Sequence, residues 1–410
     1  STIRYILKMK IKALCAAALL ASSVSMSATD TDSLANDGGI RTPLLWRIGT
    51  DISPAWVPGT NSFLKGEDSP HGAIRSCFAA SLQGDFSFNP HSRQGMLYPG
   101  LYQGLGISVR SFFNHAALGT PVSVYVYQGA PVVSFGHRFS IDYEWKFGAA
   151  FGWHHADKDI IPSAGDNAAV STAATAHMAI GFRLRYRISP RWDMTLGAEA
   201  THFSNGNTSL PNAGVNSIGA SVGLAYKLNP QDDTEKASGA LAAEADRRYW
   251  FYDITAYGAW RKRGVNVGNL QPELCPGVFG VAGLQLAPMY KFNRWVAAGA
   301  ALDLQYDESA GLPPYWVEGS GGDNIKFRRP PLGRQISIGV SAHAEFTMPI
   351  FAINAGMGYD FICPVENRHF YQSLTLKTFV TRNLYLNAGY RLGDFKEPQN
   401  LMLGVGIRLK

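Results

Sequence analysis

From Thr42 onward, apolar and polar residues alternate in short runs, broken at intervals by Gly, Pro and Asn. A period of two puts successive side chains on opposite faces of a strand, so the pattern predicts β-structure almost throughout. Candidate strands lie near 44–55, 73–87, 100–112, 120–134, 138–153, 174–188, 192–204 and 214–228. A second set lies near 249–260, 276–291, 295–307, 333–347, 350–362, 369–381, 384–392 and 400–409. The best helical exception is Thr234 to Arg247, rich in Ala and Glu, within a polar connector at 229–248. The connections Ser189-Pro190-Arg191, Lys291-Phe292-Asn293, Met348-Pro349 and Thr381-Arg382-Asn383 read as tight turns, whereas 154–173, 261–275 and 308–332 are long and polar. Short turns at one end and long loops at the other predict an all-β fold, an antiparallel transmembrane outer-membrane β-barrel.

The faces of single strands support this. Ile336, Ile338, Val340, Ala342 and Ala344 share one parity, and Ser337, Gly339, Ser341, His343 and Glu345 the other. The first set suits lipid and the second a polar lumen. Aromatic clusters such as Tyr249-Trp250-Phe251-Tyr252 sit at strand ends, where girdles meet the lipid–water boundary. A weak repeat relates 219–228 to 403–410, each reading as a closing strand. About 16 strands in two eight-stranded sets, 44–228 and 249–410, fit either one large barrel or two units, the second set a degenerate repeat of the first.

Composition narrows the class. Of 410 residues only 17% are charged and 12% are aromatic, against about 25% charged in ordinary domains. The aromatic content excludes intrinsic disorder. Past the N-terminal leader no apolar run approaches the roughly 18–20 residues of a membrane-spanning helix. The net charge of +6 is concentrated: Arg4, Lys8, Lys10 and Lys12 lie in the first 28 residues, which hold no acid. The remainder is nearly balanced, which removes the compositional case for nucleic-acid binding. Met9-Lys10-Ile11-Lys12, an apolar stretch to Leu20 and small residues at 25–28 read as a signal peptide over 1–28, followed by a linker at 29–43. Cys77, Cys275 and Cys363 match no zinc spacing, and Cys275 with Cys363 is a candidate disulfide. His154-His155 with Asp157 reads as a solvated loop rather than a metal site. Gly319-Ser320-Gly321-Gly322 lacks the helix and lysine of a phosphate loop, and Asp142 with Glu144 reads as lumen lining. No metal or organic cofactor is expected.

The segment 201–216, Thr-His-Phe-Ser-Asn-Gly-Asn-Thr-Ser-Leu-Pro-Asn-Ala-Gly-Val-Asn, carries the chemistry. Trp192, Met194, Leu196, Ala198 and Ala200 are apolar and share a parity, so they face lipid, and His202 and Ser204 continue that register. On the returning strand Asn216 shares parity with Ile218, Ala220, Val222 and Leu224. Polar groups facing hydrocarbon are costly unless they satisfy one another or do something. A serine, a histidine and an amide meeting there are the parts of a nucleophile, a base and an orienter.

His-x-Ser-Asn, a short loop, Pro-Asn and Gly before a closing strand resemble the lipid A 3-O-deacylase (acyloxyacyl hydrolase-like) family of outer-membrane barrels. The resemblance covers about 44–228 and leaves the second strand set unexplained. It implies an eight-stranded barrel, Ser204 as nucleophile, His202 as general base, and Asn205, Asn207 and Asn212 around the oxyanion or substrate. The family's triad glutamate falls at Asn216, an amide that orients the histidine without countering its charge; Glu199 is near but has the wrong parity. The expected function is an outer-membrane serine esterase removing an acyl chain from lipid A of lipopolysaccharide or a related lipid, its site facing the outer leaflet of a Gram-negative cell. The alternative is a non-enzymatic barrel, a passive pore or structural protein. Oligomeric state is left open.

Overall fold

The computed structural model describes residues 44–67, 70–155, 166–230, 239–265, 273–312, 316–317, 326–327, 330–363, 369–395 and 397–410. The leader, the linker, Asp157, Gly319 to Gly322 and the first part of the helical stretch lie outside these residues.

Two closed antiparallel barrels of eight strands form among the described residues. The first comprises β1 (Leu45–Trp56), β2 (Ser76–Ser87), β3 (Tyr102–Ser111), β4 (Gly119–Phe135), β5 (Phe139–Trp153), β6 (Ala174–Arg187), β7 (Trp192–Ser204) and β8 (Val215–Lys227). Each strand pairs with the next, and β8 closes on β1 through pairs such as Thr50 with Leu224. The second comprises β9 (Tyr249–Arg261), β10 (Phe279–Lys291), β11 (Val296–Asp307), β12 (Ile336–Thr347), β13 (Phe351–Ile362), β14 (Phe370–Phe379), β15 (Leu384–Gly393) and β16 (Glu397–Leu409). It closes through β16 on β9. The open choice between one large barrel and two is thereby decided for two. The connector contributes the helix Gly239–Ala245.

Strand alternation sorts the side chains as expected. On β12, Ser337, Ser341, His343 and Glu345 are buried while Val340 is exposed. Ile48, Leu82, Ile180, Leu196 and Val222 are exposed on the first barrel, and Leu302, Val340, Leu374 and Val405 on the second. Among the described residues no helix is long and apolar enough to cross a membrane; these outer strand faces supply the apolar surface. Alternation also halves the aromatic cluster at 249–252. Trp250 and Tyr252 are exposed, while Phe251 is buried, because neighbours on a strand cannot share a face.

The lumens are filled. In the first barrel Arg47 pairs with Asp85, Lys146 with Glu199, Arg183 with Glu144, Arg185 with Asp142 and Lys227 with Asp193. In the second, Lys377 and Arg408 each bridge Asp253 and Glu345 at 2.7 Å. Pairing of this kind offsets much of the cost of burying these charges. At the end where β7 finishes, the first barrel is capped by an apolar cluster. Val57, Phe63, Leu64 and Ile74 from one loop meet Phe112, Leu118, Trp153, Val170 and the inward-facing Phe203 and Val215. Among the described residues no disulfide joins Cys275 to Cys363.

Candidate active site

The site sits on the outer face where β7 and β8 emerge beside that cap. Along β7, Trp192, Met194, Leu196, Ala198 and Ala200 are exposed, and His202 and Ser204 follow in the same register, half-buried. The β7–β8 ladder sets His202 directly opposite Asn216. Their side chains meet: His202 Nδ1 lies 2.7 Å from Asn216 Oδ1. An amide oxygen only accepts, so this bond requires the proton on Nδ1 and leaves Nε2 with its lone pair. That is the tautomer a general base needs. Among the described residues no hydrogen bond joins Ser204 to His202 here. Such bonds often tighten only when substrate is bound.

Gly214, where the loop turns into β8, shapes the space between the two. It has φ of +73°, and a Cβ there would lie 3.0 Å from His202 Cε1, 3.7 Å from Ser204 Cβ and 2.8 Å from the Phe203 carbonyl oxygen. Only glycine combines that left-handed backbone with that clearance. Its N–H donates to the Ala169 carbonyl at 3.0 Å, and that of Ala213 to Ala168 at 3.0 Å, so the loop is tied to the segment preceding β6.

The three asparagines have different places. Asn212 Oδ1 accepts the backbone N–H of Asn205 at 2.8 Å, and the buried Asn205 side chain donates to Ser171 Oγ at 2.9 Å. These two bonds brace the loop that follows Ser204. Asn207 takes the left-handed conformation, φ +63°, which asparagine tolerates better than most residues. Ser171 and Gly214 were not singled out from the sequence. Ser171 is distant in sequence, while the only signal for Gly214 was its place before a closing strand.

Other candidates separate from the site. Glu199 points into the lumen, 2.6 Å from Lys146 Nζ, so it does not orient His202. Asp142 and Glu144 are buried in ion pairs with Arg185 and Arg183. His154 bonds the Ala116 carbonyl through Nδ1, and among the described residues no group of three or more metal-type side chains gathers.

A family model described as lipid A 3-O-deacylase matches residues 79–225, a span that includes the segment 201–216. Another, described as the C-terminal domain of acyloxyacyl hydrolase, matches 250–410. The first barrel thus carries the match to the lipid A 3-O-deacylase family. The second barrel, unexplained by the resemblance over the first, carries a family match of its own. At the end of β15, where the repeat would place the site, stand Leu392 and Asp394 in place of His and Ser. No curated protein matches the chain. Among solved structures, Neisserial surface protein A is 11% identical over 45% of this chain and 97% of its own, with a TM-score of 0.31. The siderophore receptor PirA from Acinetobacter baumannii is 7% identical over 86% of this chain and 68% of its own, at 0.23.

Proposed function

We propose that this outer-membrane barrel is a serine esterase that removes an acyl chain from lipid A or a closely related lipid, with Ser204 as nucleophile and His202 as base. The observation that carries the reading is the His202–Asn216 pair beside Ser204 on an outward face, in a barrel that the deacylase family model matches. Long loops of outer-membrane barrels face outward, which sets the site at the level of the outer leaflet, where lipid A lies.

Ser204 Oγ attacks the ester carbonyl carbon while His202 Nε2 takes its proton. The carbonyl electron pair moves onto oxygen, and N–H groups of the loop held by Asn205 and Asn212 meet the resulting charge. Collapse expels the sugar alkoxide, which recovers the proton from Nε2 and leaves an acyl-enzyme. Water, deprotonated by His202, then attacks the acyl carbon, and the Ser204 alkoxide leaves with the proton from Nε2, releasing the fatty acid. Asn216 holds the tautomer throughout. The ion pairs that fill both lumens speak against a passive pore.

A fluorophosphonate probe tests the nucleophile directly. The expected result is one covalent label, located on Ser204 by peptide mapping and lost in His202→Ala. A folded protein that takes no label, or takes it elsewhere, contradicts the assignment.

A further inference from the structure

We infer that Arg110, deep in the first barrel, is a positioning residue that holds the catalytic strands from the inside. This rests on the deacylase reading of the outer face. On β7 the residue between His202 and Ser204 is Phe203, inward-facing and fully buried; on β8 the residue after Asn216 is Ser217, also inward and buried. Arg110 reaches across the lumen from β3 to both. Its Nη1 donates to Ser217 Oγ at 3.1 Å and to Cys77 Sγ at 3.2 Å. Its guanidinium carbon lies 5.4 Å from the Phe203 ring centroid. That ring also stacks on His177 at 5.0 Å and meets Trp153 edge-on at 5.2 Å.

The chemistry of this contact is unusual for the barrel. The lumen cations Arg47, Lys146, Arg183, Arg185 and Lys227 each have a carboxylate. Arg110 is 3% exposed, yet among the described residues its hydrogen-bond partners are neutral. Among the described residues, its Nε and both ring nitrogens of His177 have no hydrogen-bond partner. The Glu199 carboxylate acts on Arg110 only through space, without a hydrogen bond; a buried cation so weakly compensated costs stability, and an apolar side chain of similar volume would serve the fold about as well. What the arginine supplies is one rigid fork on two strands. Because side chains alternate, fixing Phe203 and Ser217 inside fixes the backbone that aims His202, Ser204 and Asn216 outside. Misplacing a catalytic group by about 1 Å costs on the order of 100-fold.

The full-length protein in detergent, with lipid A in mixed micelles, tests this through wild type, Arg110→Met, Arg110→Lys and Ser217→Ala. Arg110→Met is expected to unfold no earlier than wild type on heating, while kcat falls by about tenfold to 100-fold and KM changes less than about twofold. Arg110→Lys, which keeps the charge, restores part of kcat. The ring 15N shifts of His202, identified by their loss in His202→Gln, are expected to move from a single Nδ1–H tautomer toward a mixture in Arg110→Met. Ser217→Ala, which removes one contact and no charge, shows the same tautomer change to a smaller degree and serves if Arg110→Met does not fold. Unchanged kcat and unchanged shifts in a folded variant overturn the inference, as does a loss carried wholly by KM or by a lowered melting temperature. If wild type itself cleaves no lipid A, the deacylase reading falls, and the 15N comparison alone decides the role of Arg110.

Discussion

Asn216 stands where the resemblance to the lipid A 3-O-deacylase family implies a glutamate, and its geometry says what that difference would do. The amide oxygen sits 2.7 Å from His202 Nδ1, so the tautomer is kept, but among the described residues no carboxylate pairs with His202 to counter the imidazolium that the proposed attack would form. In serine proteases, exchanging the triad carboxylate for an amide costs about 10⁴ in kcat. Asn216→Glu is therefore expected to raise kcat, by tenfold or more, with little change in KM; steady-state hydrolysis in micelles measures it, and a lower kcat in the folded variant would show that the amide is required. Gly214 gives a second expectation at this scale. Gly214→Ala forces a left-handed alanine against the Phe203 carbonyl and the His202 ring. It should lower stability by roughly 1–2 kcal/mol and lower kcat more than the conservative Gly84→Ala, whose added Cβ meets nothing within 4 Å.

Elements were legible where a period of two sufficed. The expected strand at 192–204 is β7 as observed, and others differ at their ends by a few residues. Alternation also placed His202, Ser204 and Asn216 on one face before any pairing was known. It did not tell which strand pairs with which, so closure into two barrels was open until the β8–β1 and β16–β9 ladders were seen. Long-range contacts, Arg110 to Ser217 across the lumen or Asn205 to Ser171 between loops, join residues remote in sequence and leave no local signal. The helix after the first barrel illustrates the same limit. Asp246, one residue beyond Gly239–Ala245, bonds Arg294 through its backbone N–H and through Nε and Nη2 at 2.7–2.9 Å. These hydrogen bonds hold the Asp246 carboxyl down at about 2, below its ordinary 3.8. A depressed carboxylate stabilises the fold above its unfolded value, and that stabilisation fades as pH falls from about 4 to 2. Asp246 is partly exposed, so the effect is small, about 1 kcal/mol or less. Asp246→Asn should thus unfold earlier than wild type at pH 7 and indistinguishably from it near pH 2; a difference that persists at pH 2 contradicts the ion-pair account.

The whole molecule is two filled barrels whose polar interiors are neutralised within themselves and whose apolar faces point outward. Such an arrangement leaves the outer surface as the place for chemistry, and one outward group in the first barrel has the residue types, register and family match for ester hydrolysis. The second barrel matches the family's C-terminal domain but has no serine or histidine at the corresponding strand end, so the activity is expected from the first alone. Mass spectrometry of lipid A from Gram-negative cells producing wild type or Ser204→Ala tests that claim most directly. The account predicts loss of one acyl chain with wild type and an unmodified spectrum with Ser204→Ala at equal amounts of folded protein in the outer membrane. Deacylated lipid A in the Ser204→Ala cells, or an unmodified spectrum with wild type, would contradict it.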